Sequence, residues 1–429
     1  MLDDVTRYDH FCQFRTTIRS SKCHLIVGLD VGKDKHHAFF GTSYGKTLWR
    51  RLIFDNNIIG FNRLEEQVKA VMTQNNLGQV IFGLEPTGNY HKPLGRWLID
   101  RGYEVVFVGG KAVKDNRQLL DNRWDKNDTK DSANVADLLS QGKCQFYEYP
   151  DENLQSLRCL LSLRKRLKKE EHRLRMQIRN CLIAKHFPEM DKYLGSSLGE
   201  NLAILYWYLD PRKIATAEFG EFVKHVTTKE RGLKQVQRLR KIYDAARQSI
   251  GLPVYSSAAF EARMIVDRLR QNSLELSNTM DEIKNTCASF PGYSLLQTIP
   301  GFGPYIAALV LGSLGNPFRF KSHKQVIRQA GLDLNANRSG KTSNVAVPVI
   351  SKKGDADLRY GLYQAALIAS YHNEAFRRLF NRLLEGRQNE RGIRTKMRVK
   401  LAAKLLVIAW TMLKNNEPFD AKHLLTDPT

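Results

Sequence analysis

Four carboxylates stand at points where strands should end and a helix should begin. Asp30 closes the apolar run of LIVGLDVGKD, and Glu85 follows directly on the run Val80–Leu84 in QVIFGLEPTGNY. Asp128 and Asp131 lie three apart in DKNDTKDSANVADLL, a spacing that sets both on one face at the start of a helix. Two carboxylates released side by side from core strands repel each other unless a cation or a proton compensates. Hard oxygen donors clustered in this way suit Mg²⁺. Two such ions, held by the acids, would clamp the attacking and leaving oxygens of phosphodiester cleavage. Each acid alone also fits an ordinary duty: Asp30 a turn, Glu85 a cap or a lysine pair, Asp128 and Asp131 an N-cap and first turn. Asp125, three before Asp128, and Asp137, expected to look outward from the following helix, are decoys. Taken as a set in a basic chain, the acids favour the metal site.

The elements that must position them follow from periodicity. Apolar runs at Leu25–Leu29, Ala38–Phe40, Leu48–Phe54, Val80–Leu84 and Glu104–Val108 read as five strands, with a polar turn over Gly32–Lys35. Phe61, Leu64, Val68 and Val71 recur at helical spacing within Ile59–Met72, and a second helix is expected over Tyr90–Asp100. Three strands joined by tight turns, then helix and strand in alternation, predict a mixed α/β sheet. With the first and fourth strands adjacent, Asp30 and Glu85 converge.

The character changes near Leu154. Leu160, Leu163, Leu167, Leu174 and Ile178 share one helical face, beside Arg164, Lys165, Arg166, Lys168 and Lys169. A second long helix is expected over Ser257–Thr286, and Pro188, Pro211 and Pro253 interrupt the stretch between. This predicts a basic α-helical arm, partly coiled-coil, with a solvated bundle as the alternative. After Phe290, Thr298-Ile-Pro-Gly-Phe-Gly-Pro304 leads into an apolar helix over Tyr305–Leu314. The turn resembles a helix-hairpin-helix in which Gly301 and Gly303 expose N–H groups to a phosphate, although glycine also simply ends helices. A Gly/Asn/Ser-rich stretch (331–343), a strand-like run over Val345–Ile350, and helices over Asp357–Asn381 and Lys396–Lys414 complete the mostly α C-terminal part. The expected division is 1–23, an N-terminal extension; 24–150, the acidic α/β domain; 151–290, the arm; and 291–429, the C-terminal domain.

The chain has 429 residues, and 67 Lys and Arg stand against 44 Asp and Glu, a formal charge of +23. That excess draws a soluble protein to polyanions, nucleic acid first among them. The longest apolar runs, Ile306–Leu311 and Leu405–Trp410, are too short to span a bilayer, which leaves no membrane role. The first residues include Asp3, Asp4 and Asp9 and no apolar h-region, so they do not read as a signal peptide. Six scattered cysteines without zinc-like spacing fit reduced thiols in a cytoplasm.

GLDVGKD, LEPTGNY and KNDTKDSANVADLL together resemble the RuvC-like (RNase H-like) domain of the DEDD transposases of bacterial insertion sequences, the insertion-sequence one-ten family that includes the Piv-type DNA invertases. The family's four acids fall on Asp30, Glu85, Asp128 and Asp131. Ser132 stands where an Ala is usual. In the C-terminal part, IPGFGPYIAALVLGSLG, QAGLDLNANRSGKTSNVAVPVISKKGDADLRYGLYQAAL and KLAAKLLVIAWTMLKNN are similar to the family's transposase domain in order and spacing. The resemblance places its nucleophile on Ser339 of NRSGK. A serine hydroxyl can attack phosphorus and conserve bond energy in a phosphoserine link. Arg338 and Lys341 flank it and could balance phosphate charge. A plain Ser-Gly turn is the alternative, with Ser343 and Ser351 as other hydroxyls nearby. Arg359 is a further phosphate candidate, whose bland role is an ion pair with Asp355, four residues before it.

The resemblance covers Leu25–Tyr149 and Ser294–Asp420; the arm matches only in being long, helical and basic. It implies a transposase or site-specific recombinase that cleaves and rejoins DNA at element ends and target, with Mg²⁺ at the acids. It further implies a structured guide RNA, the bridge RNA, a homo-oligomer (dimer or tetramer) built through the arm, and a cytoplasmic, nucleoid-associated protein of bacteria. Arm contacts to phosphate would make binding fall steeply with salt. Two rivals remain: a RuvC-like hydrolytic junction resolvase with an unemployed serine, and a non-catalytic nucleic-acid-binding protein.

Overall fold

Alternation along the first strand sets the layers of the N-terminal unit. In the computed structural model, which describes residues 7–121, 128–147, 149–194, 198–227, 232–335 and 349–424, β1 spans His24–Val31. Leu25, Val27, Leu29 and Val31 fall in one buried cluster, and Ile26 falls in another, so the strand is covered on both faces. The first cluster takes in Phe61, Leu64, Val68 and Val71 of α2 (Ile58–Gln74) and Leu94 and Leu98 of α3 (His91–Asp100). The second takes in Val113 of α4 (Gly110–Asp121), Val135 and Leu139 of α5 (Asp128–Ser140), and Phe14 and Ile18 of α1 (Arg7–Ser20). That first helix was not expected from the sequence. Its buried apolar residues, Phe14 and Ile18, make only a short face, which gains its meaning beneath the sheet.

The sheet has the order β3-β2-β1-β4-β5-β6, with β2 Lys35–Thr42, β3 Thr47–Asp55, β4 Gln79–Leu84, β5 Glu104–Phe107 and β6 Gln145–Phe146. β1–β2, β2–β3 and β5–β6 are antiparallel, while β1–β4 and β4–β5 are parallel. The first and fourth strands are therefore neighbours, as expected. Lys35 belongs to β2 and not to the turn before it.

The chain divides into two compact units, Met1–Asp151 with Asn316–Arg328, and Glu152–Gly315 with Gln329–Thr429. The second unit is mostly helical. Its α6 (Glu152–Gln177) continues through a π-helical turn, Ile178–Ile183, and packs with the 32-residue helix Ser256–Cys287. Leu174 and Ile178 share a buried cluster with Ile265 and Leu269, and with Leu202, Phe222 and Leu239 from the helices between. Each such fully buried side chain contributes about 1.5–3 kcal/mol. Pro188 and Pro211 start helices here: Pro211 opens Pro211–Thr216, with the Asp210 carboxylate accepting from the N–H of Arg212 at 3.1 Å.

The helix expected over Asp357–Asn381 is two, Ala356–His372 and Glu374–Leu384. Asn373 leaves helical geometry and its side chain caps the second, accepting from the N–H of Phe376 at 3.2 Å. The last long helix is Ile393–Asn415. Of the strand-like run expected over Val345–Ile350, Val349–Ile350 form β8, which pairs with β7 (Leu334–Asn335), and 336–348 lie outside the described residues.

Candidate active site

Strand parity carries the two strand-end acids to the same face. Asp30 follows Ile26 and Gly28 at two-residue steps along β1, and Glu85 follows Ile81 and Gly83 along β4. Leu29 pairs with Leu84 in parallel register, and the N–H of Glu85 reaches the carbonyl of Leu29 at 3.4 Å. The two acids therefore stand one step beyond a paired rung on adjacent strands. Gly88 then turns with φ of 53°, so the chain leaves the sheet immediately after the acid.

Glycine sets the height of α5 above this face. A β-carbon on Gly28 would overlap the carbonyl of Ser132, and one on Gly83 would come within 3.0 Å of Leu139 and 3.2 Å of Val135. With no side chains there, α5 lies directly on β1 and β4 and brings Asp131 over the strand ends. Asp131 is buried, and Ser132 beside it is buried too, so a small residue is what the position needs.

Asp30, Glu85 and Asp131 line one cleft of about 240 Å³, together with Lys35, His37, Thr87 and Arg117. Arg117 of α4 donates from Nε to Oδ1 of Asp131 at 2.7 Å. Asp128 opens α5 as expected, and its side chain lies outside the described residues. The carboxylates offer hard oxygen donors, and a guanidinium already sits on one of them. Among the described residues, no three acidic, histidine or cysteine side chains are drawn together closely enough to hold an ion.

Lys35, His37 and Arg117 escaped the sequence reading. His37 pairs with Asp30 across β1–β2, and Lys35 shares its face two residues earlier, so antiparallel pairing of the first hairpin would have found both. Nothing local marks Arg117. Asp137 does not look outward: its Oδ2 accepts from Asn116 and Gln141, both at 2.9 Å, in a lock between α4 and α5. Asp125 lies outside the described residues.

The remaining candidates belong to the second unit. Ser339, Arg338, Lys341 and the alternative Ser343 lie outside the described residues. Ser351 directly follows β8 and donates to Oδ1 of Asp333 at 2.5 Å. In place of the pair with Asp355, Arg359 donates from Nη1 to the carbonyl of Ala330 at 2.8 Å, at the foot of the β7–β8 ladder. Asp355 instead caps the helix Ala356–His372 and accepts from Ser313. Gly301 has φ of 91°, and a side chain there would strike the carbonyl of Ala365, so its glycine is a packing requirement. Gly303 caps the helix Pro304–Leu314 with open space around it. Arg164 lies 3.6 Å over the ring of Tyr305, Lys165 is 2.6 Å from Asp357, and Lys168 is 2.6 Å from Glu171. Arg166 and Lys169 are exposed. Among the described residues, no helix is long and apolar enough to cross a membrane.

A formal charge of +23 draws the chain to polyanions, nucleic acid among them. Comparison with known families makes this a DNA-modifying transposase. Residues 27–188 match the transposase model DEDD_Tnp_IS110, and residues 293–381 match that of the transposase IS116/IS110/IS902 family. The chain belongs to the IS110 family of transposases. It is similar to the pilin gene-inverting protein of Moraxella bovis, 23% identical over 399 residues that make up 92% of this chain and 98% of that one. It is also similar to the 44.8 kDa protein of insertion element IS116 of Streptomyces clavuligerus, 24% identical over 92% of this chain and 95% of the other. For the 43.6 kDa protein of insertion element IS110 of Streptomyces coelicolor the identity is 22%, over 93% and 96%.

Proposed function

We propose that this transposase cuts and rejoins DNA strands with a Mg²⁺-dependent acidic site and Ser339 as the nucleophile. The observation that carries the reading is the convergence of Asp30, Glu85 and Asp131 on one cleft at adjacent strand ends. The order β3-β2-β1-β4-β5-β6, with parallel pairing only from β1 through β5, supports a RuvC-like (RNase H-like) domain. Asp30, Glu85, Asp131 and Asp128 would hold Mg²⁺, two ions in the full site, and the metal would supply charge stabilisation at the phosphoryl oxygens. The Ser339 hydroxyl forms a bond to phosphorus as one bridging P–O bond of the DNA breaks. The serine proton ends on the released deoxyribose hydroxyl, and rejoining reverses the exchange.

DNA at element ends and target is the substrate, and a bridge RNA the guide that chooses it; the net charge of +23 supports both. The pairing of α6 with the helix Ser256–Cys287 supports a coiled-coil arm, through which copies would assemble as a dimer or tetramer. The kinship with a pilin gene-inverting protein favours inversion as one outcome of the same chemistry. The chain would work in the cytoplasm, at the nucleoid.

The test is a covalent adduct between full-length protein and a DNA carrying element ends, trapped in denaturant with Mg²⁺ present. Wild type should form it, Ser339→Ala should not, and Asp30→Asn should cut nothing. Wild-type nicking without an adduct, persisting in Ser339→Ala, would make the protein a hydrolytic resolvase instead. Sequencing RNA that co-purifies with the protein tests the guide: a discrete species encoded by the element is expected.

A further inference from the structure

Asp131 is the most buried described acid of the cleft, its side chain only 3% exposed, and its bond to Arg117 is the contact that holds it. A carboxylate so far from water is costly without a countercharge. Arg117 supplies that charge from α4, with a side chain 20% exposed to the cleft. We infer that Arg117 is a positioning residue that takes the place of the divalent cation at Asp131 in the metal-free enzyme and yields it on loading. The inference rests on the reading of the cleft as a metal site.

Two features of the packing carry it. First, Nε of Arg117 engages Oδ1 of Asp131 on the cleft side, beside Asp30 and Glu85. An ion approaching that oxygen meets a fixed positive charge, so the two cations compete for one carboxylate. Second, Arg117 can leave without parting the helices. The adjacent Asn116 is buried and donates to Oδ1 of Asn134 at 2.6 Å and to Oδ2 of Asp137 at 2.9 Å. Asn134, fully buried, donates in turn to the carbonyl of Val113 at 2.6 Å. These bonds fix α4 on α5 independently of the ion pair, so release needs only a side-chain rotation. Once released, the guanidinium remains in the cleft, where its planar fork matches a phosphate of the DNA backbone.

The experiment measures Mn²⁺ binding by calorimetry, and melting in EDTA and in Mn²⁺, on the full-length protein without DNA. Arg117→Gln should bind Mn²⁺ about tenfold more tightly, because no charge-assisted hydrogen bond has to be given up. It should melt lower than wild type in EDTA and gain more from Mn²⁺. Arg117→Lys keeps a cation for the metal-free fold and should fall between the two in affinity. If Arg117→Gln folds only with Mn²⁺, the inference stands. An unchanged or weaker affinity in Arg117→Lys, and in Arg117→Gln where it folds, overturns it. Asp30→Asn separates the two levels of the argument. If it binds Mn²⁺ like wild type, the metal-site reading fails; if it loses Mn²⁺ while the Arg117 variants match wild type, only the role of Arg117 fails.

Discussion

The carbonyl of Ser132 on α5 occupies the space that a side chain on Gly28 of β1 would need. Two residues along the same strand stands Asp30, and one residue before Ser132 stands Asp131. The close crossing of helix and strand is thus what brings the strand-end acids and the helical acid to one cleft.

Gly28→Ala should therefore lift α5 off β1. Forcing a methyl into a packed contact costs on the order of 1–3 kcal/mol. A displacement of about 1 Å at the acids should slow strand cleavage on the order of a hundredfold. Urea denaturation and single-turnover cleavage measure the two effects. Full cleavage by a destabilised variant would show that the height of α5 does not matter to the site.

Gly110→Ala separates geometry from stability. A β-carbon on Gly110, the first residue of α4, would lie 2.8 Å from Oε1 of Glu85. The obstacle is the far end of a flexible side chain and not backbone, so the carboxylate is pushed aside while the backbone keeps its course. The melting temperature should stay level or rise slightly, and cleavage should fall about tenfold. An active, equally stable variant would argue that Glu85 has no fixed position in the reaction.

Acid should weaken the first unit through its buried histidines. His36 is fully buried against Phe54 and Phe61, with ring centroids 5.1 and 6.0 Å away, and burial pushes its pKa below the ordinary 6.5. Burial lowers His91 and His24 in the same way. In the folded state all three take up a proton only at a lower pH than in the unfolded chain, which does so near pH 6.5, so between those points the unfolded state binds more. Their contribution is complete above 6.5 and is lost as the pH falls from there towards the folded-state values. Chemical denaturation between pH 5 and 8 should show this slope, and His36→Phe should flatten it. A slope unchanged in that variant would remove His36 from the account.

Much of the first unit was legible because its signals are local. Apolar runs bounded by glycine and polar turns located five strands and two helices to within a few residues, and the acids at their ends followed from position alone. α1 was missed because its few buried residues, Phe14 and Ile18, acquire meaning only beneath the sheet. The break at Asn373 was missed because its capping bond depends on backbone geometry and not on apolar spacing. In the second unit, Arg164 and Lys165 read as free positive charge, yet they lie against Tyr305 and Asp357, well over a hundred residues away.

The sequence by itself determined which acids leave which elements, since strand and helix periods are properties of short stretches of backbone. Only the tertiary structure decided which groups meet across elements: Arg117 with Asp131, and Glu85 over Gly110. Electrostatic partners are chosen by distance in space. That distance depends on how closely α4 and α5 settle on the sheet, which no spacing along the chain records.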